Sequence, residues 1–396
     1  MSISSNVRTS MENQSWVRRM FELGLEMKKL HGENNVFDLS LGNPILEPPE
    51  TFVLALQRLA ADPTKGMHRY MPNAGYPETR GQVAQYLSQE TGADFSGLDI
   101  VMTCGAGGAL NVVFKSILEP GDEVIVLSPF FPEYEFYVNN HNGHIRPTPT
   151  DSTFQPDIKS IDQSMNKQTK AVLLNSPNNP TGAVYTSEIL AELGALLQHY
   201  ERKFNHQIYL ISDEPYKQLI YDGTKFPIIY EFHESTIVAT SFSKDLSLAG
   251  ERIGYIAVNP ELSTKSELLD AFVFCNRVLG FVNAPAIMQR AIGGILGASV
   301  DLQWYKTQRD FLFDNLSEMG YEIVKPQGAF FAFPKSPIPN DVDFVQELLA
   351  EHILVTPGTG FGTPGYFRVS YSVNEKVLTG AMDGFSRIAR KYGLKK

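Results

Sequence analysis

Cysteine is nearly absent: Cys104 and Cys275 are the only two in 396 residues. They lie far apart, with no Cys-x-x-Cys pair and no histidine-rich neighbour. That pattern argues against a disulfide scaffold or a cysteine-built metal site, and it points to a reducing cytoplasm. No metal is expected. Basic residues are outnumbered by acidic ones, 34 to 44, for a formal charge of −10. With no positive excess and no Lys/Arg-rich run, nucleic acid is not an expected partner. Long apolar runs are missing too, since none reaches the roughly 20 residues that span a bilayer. The polar stretch from Met1 to Gln14 lacks the apolar centre of an export signal, so neither membrane nor export is expected. No repeat or low-complexity linker appears. What is present is a hydrophobic content of 43%, ample for a large core.

Along the chain, Trp16, Val17, Met20, Phe21, Met27 and Leu30 recur at three- and four-residue steps, which predicts an amphipathic helix over about 15–30 with Gly32 as its stop. Gly42-Asn43-Pro44 and Glu47-Pro48-Pro49 break the pattern. A helix is expected over about 50–61, and after a loop from Gly66 to Gly75 another opens at Pro77 and closes at Gly92. Apolar strands then alternate with helices: a helix beginning near Gly108, and strands at Glu123–Leu127, Ala171–Leu174, Gln207–Ile211 and Thr236–Thr240. This is the rhythm of an α/β protein with a mostly parallel sheet flanked by helices. After about Pro285 the texture changes, with helices to Met319, strand-like Ala329–Phe333 and Tyr366–Tyr371, and a last helix over about 374–392. A large domain over 48–290 is expected, with a smaller α+β domain assembled from 1–47 and 291–396.

Chemistry-bearing residues follow the strands, where an open parallel sheet collects ligands. The most informative segment is Ser241-Phe242-Ser243-Lys244, with Arg252 beyond it. Burial and a neighbouring guanidinium lower a lysine pKa, as an amine that bonds an aldehyde requires, while hydroxyls and Arg252 suit phosphate oxygens. Cys104-Gly105-Ala106-Gly107-Gly108 precedes a helix. The dinucleotide fingerprint fails there because Leu110 stands where a glycine is needed, so the reading is either a lone phosphate on the helix N-terminus or a tight turn. Cys104 reads as a buried small apolar residue. Asp213 reads as a cap or as the acceptor for a protonated ring nitrogen. Tyr216 and Asn179 are candidate donors to a phenolic oxygen on that ring, and Phe131 either stacks on it or fills core.

Asn175-Ser-Pro-Asn-Asn-Pro-Thr-Gly182, Ser212-Asp-Glu-Pro-Tyr216, Ser241-Phe-Ser-Lys244 with Arg252-Ile-Gly254, and Phe367-Arg-Val-Ser370 together resemble the class I/II aminotransferases of the aspartate aminotransferase superfamily, in order and over nearly the whole chain. The resemblance implies the fold type I of pyridoxal 5′-phosphate-dependent transferases, with the cofactor on Lys244. Asp213 is implied at its ring nitrogen, Asn179 and Tyr216 at its phenolic oxygen, and Phe131 at its face. Ala106, Gly107, Ser241 and Arg252 are implied around its phosphate, with Gly108 and Ser243 also among the residues that bind the cofactor. Tyr70 matches a tyrosine that reaches the phosphate of a neighbouring subunit, which implies a homodimer with shared sites. Arg368 matches the arginine that grips the substrate α-carboxylate, aided by Gly42 and Asn179. The implied reaction passes an amino group from an L-amino acid to a 2-oxo acid, with 2-oxoglutarate the expected acceptor.

Gly107 departs from the pattern, since the bacterial aspartate-using branch tends to carry lysine there. Arg277 lies one residue from a distal-carboxylate arginine of another branch, where strict register puts Val278. Dicarboxylate specificity is left open, as are neutral and aromatic donors, and Trp16 is expected to shape the entrance. A β-lyase or decarboxylase on the same scaffold would use the same cofactor set, because the fate of the carbanion depends on pocket shape. A non-catalytic cofactor-binding regulator would need an added DNA-binding module, for which the fold leaves no room.

Overall fold

The computed structural model describes residues 2–12, 16–62 and 65–394. Ser15, the expected start of the entry helix, lies outside them, as do Met1, Asn13 and Gln14 of the polar N-terminal stretch. The entry helix runs over Trp16–His31. Twelve strands follow in order among the described residues: β1 (Phe37–Asp38), β2 (Ile100–Thr103), β3 (Glu123–Ser128), β4 (His144–Pro149), β5 (Thr169–Asn175), β6 (Tyr209–Asp213), β7 (Thr236–Ser241), β8 (Gly254–Val258), β9 (Phe331–Ala332), β10 (Ile353–Leu354), β11 (Thr356–Pro357) and β12 (Phe367–Ser370).

Seven strands form one sheet in the order β2-β8-β7-β6-β5-β3-β4. It is parallel throughout except for β8, which runs against both β2 and β7. The side-chain alternation of a strand explains why both faces are covered. Val124, Val126, Leu173, Ile211, Ile237 and Ile256 share one core with the helices Gly105–Ile117 and Lys265–Val278. Their neighbours Ile125, Leu127, Val172, Leu174, Leu210 and Val238 pack the other way, against Leu190, Leu193 and Leu197 of the helix Ser187–Phe204. Each such side chain, fully buried, contributes roughly 1.5–3 kcal/mol. A separate core joins Met20, Val36 and Leu39 to Leu312, Phe344, Phe367 and Phe385, so the N-terminal segment packs on the C-terminal part of the chain.

The expected strands are present with shifted ends. β6 starts at Tyr209 rather than Gln207 and takes in Asp213 as its last residue. Strands β2, β4 and β8 escape the sequence pattern. β4 is an edge strand with Pro147 and Pro149, residues a central ladder does not tolerate but an edge does. The expected strand Ala329–Phe333 shrinks to β9, because Ala329 takes a positive φ of 57° and its N–H bonds to the Leu219 carbonyl instead. The helix expected near Gly108 begins three residues earlier, at Gly105. Gly92 closes the helix Pro77–Thr91 in the left-handed conformation, φ 75°.

Candidate active site

Register brings the strand ends together. Asn175 pairs with Asp213, Asp213 with Ala239, and Ser241 with Gly254, which in turn pairs with Thr103 at the end of β2. The reversal of β8 leaves β2 pointing the same way as the parallel strands, so the helix that follows Thr103 starts at the same edge. A cavity of about 350 Å³ opens there, with Asp213, Ser241, Lys244, Arg252 and Arg368 in its wall.

Asp213 lies at its base, 5% exposed. One carboxyl oxygen, Oδ2, accepts from the Tyr134 hydroxyl at 2.5 Å. The other, Oδ1, is buried without a partner. Burial pushes the carboxyl from 3.8 up to about 7; the Tyr134 hydrogen bond opposes this and the Glu214 charge adds to it. A buried acceptor with one free oxygen is a seat for a cationic N–H, which would draw it back to the ionised form. Asn175 holds this strand end in place through Nδ2, which donates to the Asp213 carbonyl at 3.0 Å.

Lys244 follows β7 on the segment 242–253 that turns the chain back into β8. Its Nζ donates to the Gly42 carbonyl at 2.6 Å and sits 5.5 Å from the Phe330 ring centre. Burial first, then the charges of Arg368 and Arg252, bring its pKa from 10.5 down to about 8. About a tenth of such an amine is neutral at pH 7, far more than of an ordinary lysine, and that is the form that attacks a carbonyl carbon. Gly42 has to be glycine, because a Cβ there would meet the Phe331 ring at 2.8 Å.

The opposite end of the cavity suits an anion. The helix Gly105–Ile117 presents its unpaired first-turn N–H groups there, including those of Ala106 and Gly107, which line the cavity. Gly105 has φ 71°, and a Cβ on it would come within 3.0 Å of Arg252 Nη2, so the guanidinium lies directly on the helix start. Ser241 and Ser243, both buried, add hydroxyls to the same wall. Arg252 itself is exposed and donates to the Ala249 carbonyl at 2.9 Å.

Arg368 is 1% exposed in the middle of the β11-β12-β9 sheet. Its Nη1 donates to Asn179 Oδ1 at 2.9 Å and its Nη2 to the Ser40 carbonyl at 2.5 Å, while Nε is buried without a partner. The guanidinium carbon lies over the Phe331 and Phe361 rings, 4.5 and 4.9 Å from their centres. Desolvation lowers its pKa to about 10, so it is still a cation at neutral pH. Since Arg368 takes the Asn179 oxygen, the Asn179 amide faces the cavity with its N–H groups. Phe131 and Tyr216 also line the cavity.

Other candidates stand elsewhere. Tyr70 is 89% exposed and does not reach the cavity of its own chain. Gly108 does not line it either; a Cβ there would press on Cys104 at 3.3 Å, so its smallness serves helix packing. Arg277 and Val278 are both exposed at the end of their helix and absent from the wall, Arg277 lying over Phe274. Trp16 packs on Gly360, and its neighbour Val17 lines the cavity in its place. Cys104 is half-buried rather than buried, because it caps the helix start. Glu133, Tyr134 and Tyr137 escaped sequence reasoning, although Glu133 and Tyr137 stand four apart on one face of the helix Glu133–Asn139 and follow directly on Phe131. Among the described residues no cluster of metal-ligating side chains exists.

An amine of lowered pKa, a stranded carboxyl oxygen and a cationic helix start suit, respectively, an aldehyde, a pyridine nitrogen and a phosphate on one molecule. Pyridoxal 5′-phosphate has all three. The family described as aminotransferase class I and II matches residues 34–385. A Thermus aquaticus protein named a probable aspartate/prephenate aminotransferase is 34% identical, over 88% of this chain and 90% of its own. The aspartate/prephenate aminotransferase of Thermus thermophilus is 32% identical, with the same coverage. The crystal structure of an amino transferase from Eubacterium rectale superposes with a TM-score of 0.96 at 35% identity, covering 99% of both chains. By a match across most of its length, in sequence and in fold, this chain belongs to the class I and II aminotransferases of fold type I, pyridoxal phosphate enzymes that carry an amino group from an amino acid to a 2-oxo acid.

Proposed function

We propose that the amino donor is an L-amino acid held by its α-carboxylate on Arg368, with Lys244 as the group that moves the Cα proton. The observation that carries this reading is the buried Arg368 fork with an unpartnered Nε, facing the same cavity as an amine whose pKa is near 8. A planar guanidinium suits a carboxylate in two-point geometry. Gly42 and Asn179 border the same place. Bound pyridoxal phosphate supplies an aldehyde that takes up the amino group and a ring that delocalises the electron pair left at Cα.

The chain's own groups do the rest. With the cofactor bound, Lys244 Nζ would be the general base that takes the Cα proton and the general acid that delivers it to the cofactor's aldehyde carbon, on the other side of the amino nitrogen. Asp213 Oδ1 would hold a ring N–H, and Asn179 and Tyr216 would donate to the phenolic oxygen. Phe131 would cover the ring and help exclude water. The N–H groups of Ala106 and Gly107, the Ser241 and Ser243 hydroxyls and Arg252 would take the phosphate, while Gly108 lets that helix start pack closely.

Tyr70, fully outside its own cavity, fits a second copy's site, and we extend the proposal to a homodimer with shared sites. The shared core of Met20, Val36 and Leu39 with the C-terminal part supports two domains, 48–290 and 1–47 with 291–396. Two free cysteines favour a cytoplasmic location, and no described helix is long and apolar enough to cross a membrane.

The cations in the cavity wall are Lys244, Arg252 and Arg368, each already given a role. Relatives are named for aspartate and prephenate; among the described residues, the wall of this chain's own cavity spares no cation for a second carboxylate. The acceptor proposed from the sequence resemblance is 2-oxoglutarate, whose distal carboxylate would share the cavity with Glu133. The test is the visible spectrum of the cofactor-loaded enzyme as single amino acids are added without acceptor. Loss of the lysine-bound cofactor band together with release of the matching 2-oxo acid names the donor. Absence of such a band after cofactor is supplied would sink the assignment of Lys244.

A further inference from the structure

We infer that Glu133 sets which side chains this enzyme accepts, favouring amino acids that end in an N–H group, an amide, ammonium or guanidinium, over those that end in a carboxylate. The inference rests on the proposed docking of the α-carboxylate on Arg368.

Glu133 opens the short helix Glu133–Asn139 and lines the same cavity as Lys244 and Arg368. Its Oε2 is buried with no hydrogen-bond partner, and among the described residues no cation forms an ion pair with it. Asp213 is the one other acid in the wall, and it has a role at the cofactor ring. Glu133 has none there. Burial raises its carboxyl pKa, while its own backbone N–H and then the Arg368 charge pull it down. Its charge is felt in turn by the Tyr137 hydroxyl, whose pKa goes up to about 12 through burial first and Glu133 next.

Glu133 is thus a half-buried acid with unused hydrogen-bonding capacity on the wall of a low-dielectric cavity. A ligand N–H placed there forms a charge-assisted hydrogen bond, whereas a second carboxylate meets a like charge. The phosphate loop offers no lysine to offset this, because Gly107 stands there, and a side chain at that position would be tight against the Tyr137 hydroxyl, 3.1 Å from the Cβ position. Gly107 and Glu133 therefore act in the same direction. The same preference extends to the acceptor, so 2-oxoglutarate should need a higher concentration than a monocarboxylic 2-oxo acid.

The experiment compares two unreactive ligands of equal length, glutarate and its monoamide glutaramate, binding to the cofactor-loaded enzyme in a calorimeter. Wild type should bind glutaramate at least about tenfold more tightly, and Glu133→Gln should erase or invert that preference. The half-reaction rates with glutamine and glutamate should follow the same ratio. Equal binding of the two ligands by wild type would overturn the inference without any variant being made. So would a Glu133→Gln effect of the same factor on both ligands, which would place the residue at the α-carboxylate through Arg368 rather than at the side chain. Glu133→Ala, checked for an unchanged visible band, carries the same comparison should the glutamine variant not fold. A failure to release oxo acid from any amino acid would sink the proposed transfer while leaving the ligand preference measurable.

Discussion

Replacing Asp213 by asparagine should stabilise the cofactor-free protein while crippling the enzyme. The carboxyl is 5% exposed, and its pKa stands at about 7 against an ordinary 3.8. Below about pH 4 it is protonated in both folded and unfolded chains and costs nothing. As pH rises toward 7 the unfolded chain ionises freely while the folded one resists, so folding loses stability through that range, and the loss is complete above pH 7. At 1.36 kcal/mol per tenfold change in proton affinity, the full penalty is about 4 kcal/mol. Asparagine keeps an oxygen for the Tyr134 hydroxyl and carries no charge. Thermal unfolding of the two cofactor-free proteins should therefore give similar midpoints at pH 4 and a variant several degrees more stable at pH 8; about 2–4 °C per kcal/mol holds for chains of 150–250 residues, and less for longer ones. With cofactor the order reverses, because a neutral amide cannot hold a cationic ring nitrogen. Loss of one aligned stabiliser of developing charge costs roughly 10²–10³ in turnover. A variant less stable than wild type by the same amount at both pH values would refute the reasoning, since it would mean that the carboxylate is satisfied and not stranded.

Lys244→Ala should show no visible band of lysine-bound cofactor and no turnover with any amino acid; measurable transfer would remove Lys244 from the chemistry. Arg368→Lys should raise KM for amino acids by roughly 10²-fold or more, because two charge-assisted hydrogen bonds of about 1.5–3 kcal/mol each give way to one point charge, while the cofactor spectrum stays as it was. A KM within twofold of wild type would mean that the α-carboxylate docks elsewhere. Arg252→Ala should loosen the cofactor by only about tenfold, since an exposed guanidinium is screened by water; dialysis followed by absorbance measures it, and unchanged retention would place the phosphate away from the Gly105 helix start.

Much of the fold was legible because it depends on local rules. Alternating apolar strands, Pro77 opening a helix and Gly92 closing one in a left-handed conformation are written into short stretches of chain. The position of Asp213 at the carboxyl end of β6, although inside the strand and not beyond it, and that of Lys244 after β7 followed from the habit of open sheets to gather chemistry at strand ends. The strands that went unread have tertiary reasons: β4, with two prolines, survives only as an edge, and β8 is recognisable only by its pairing between β2 and β7.

The sequence by itself determined the class I and II aminotransferase family, and with it the residue set proposed for an aldehyde, a ring nitrogen and a phosphate, since these depend on residue type and order. Only the tertiary structure decided how each group behaves. Asp213 is an acid of raised pKa because burial leaves one oxygen unmet, and Lys244 is a weak base because it is buried first, and then because Arg368 from a distant segment and Arg252 lie near it. Arg368 is usable because two phenylalanine rings and a carbonyl 328 positions away hold its fork. Glu133 looked like an ordinary first-turn glutamate, and it faces the reacting cavity because the strand before it ends at the same sheet edge. Spacing along the chain encodes elements, while desolvation and charge pairing depend on which elements meet in space.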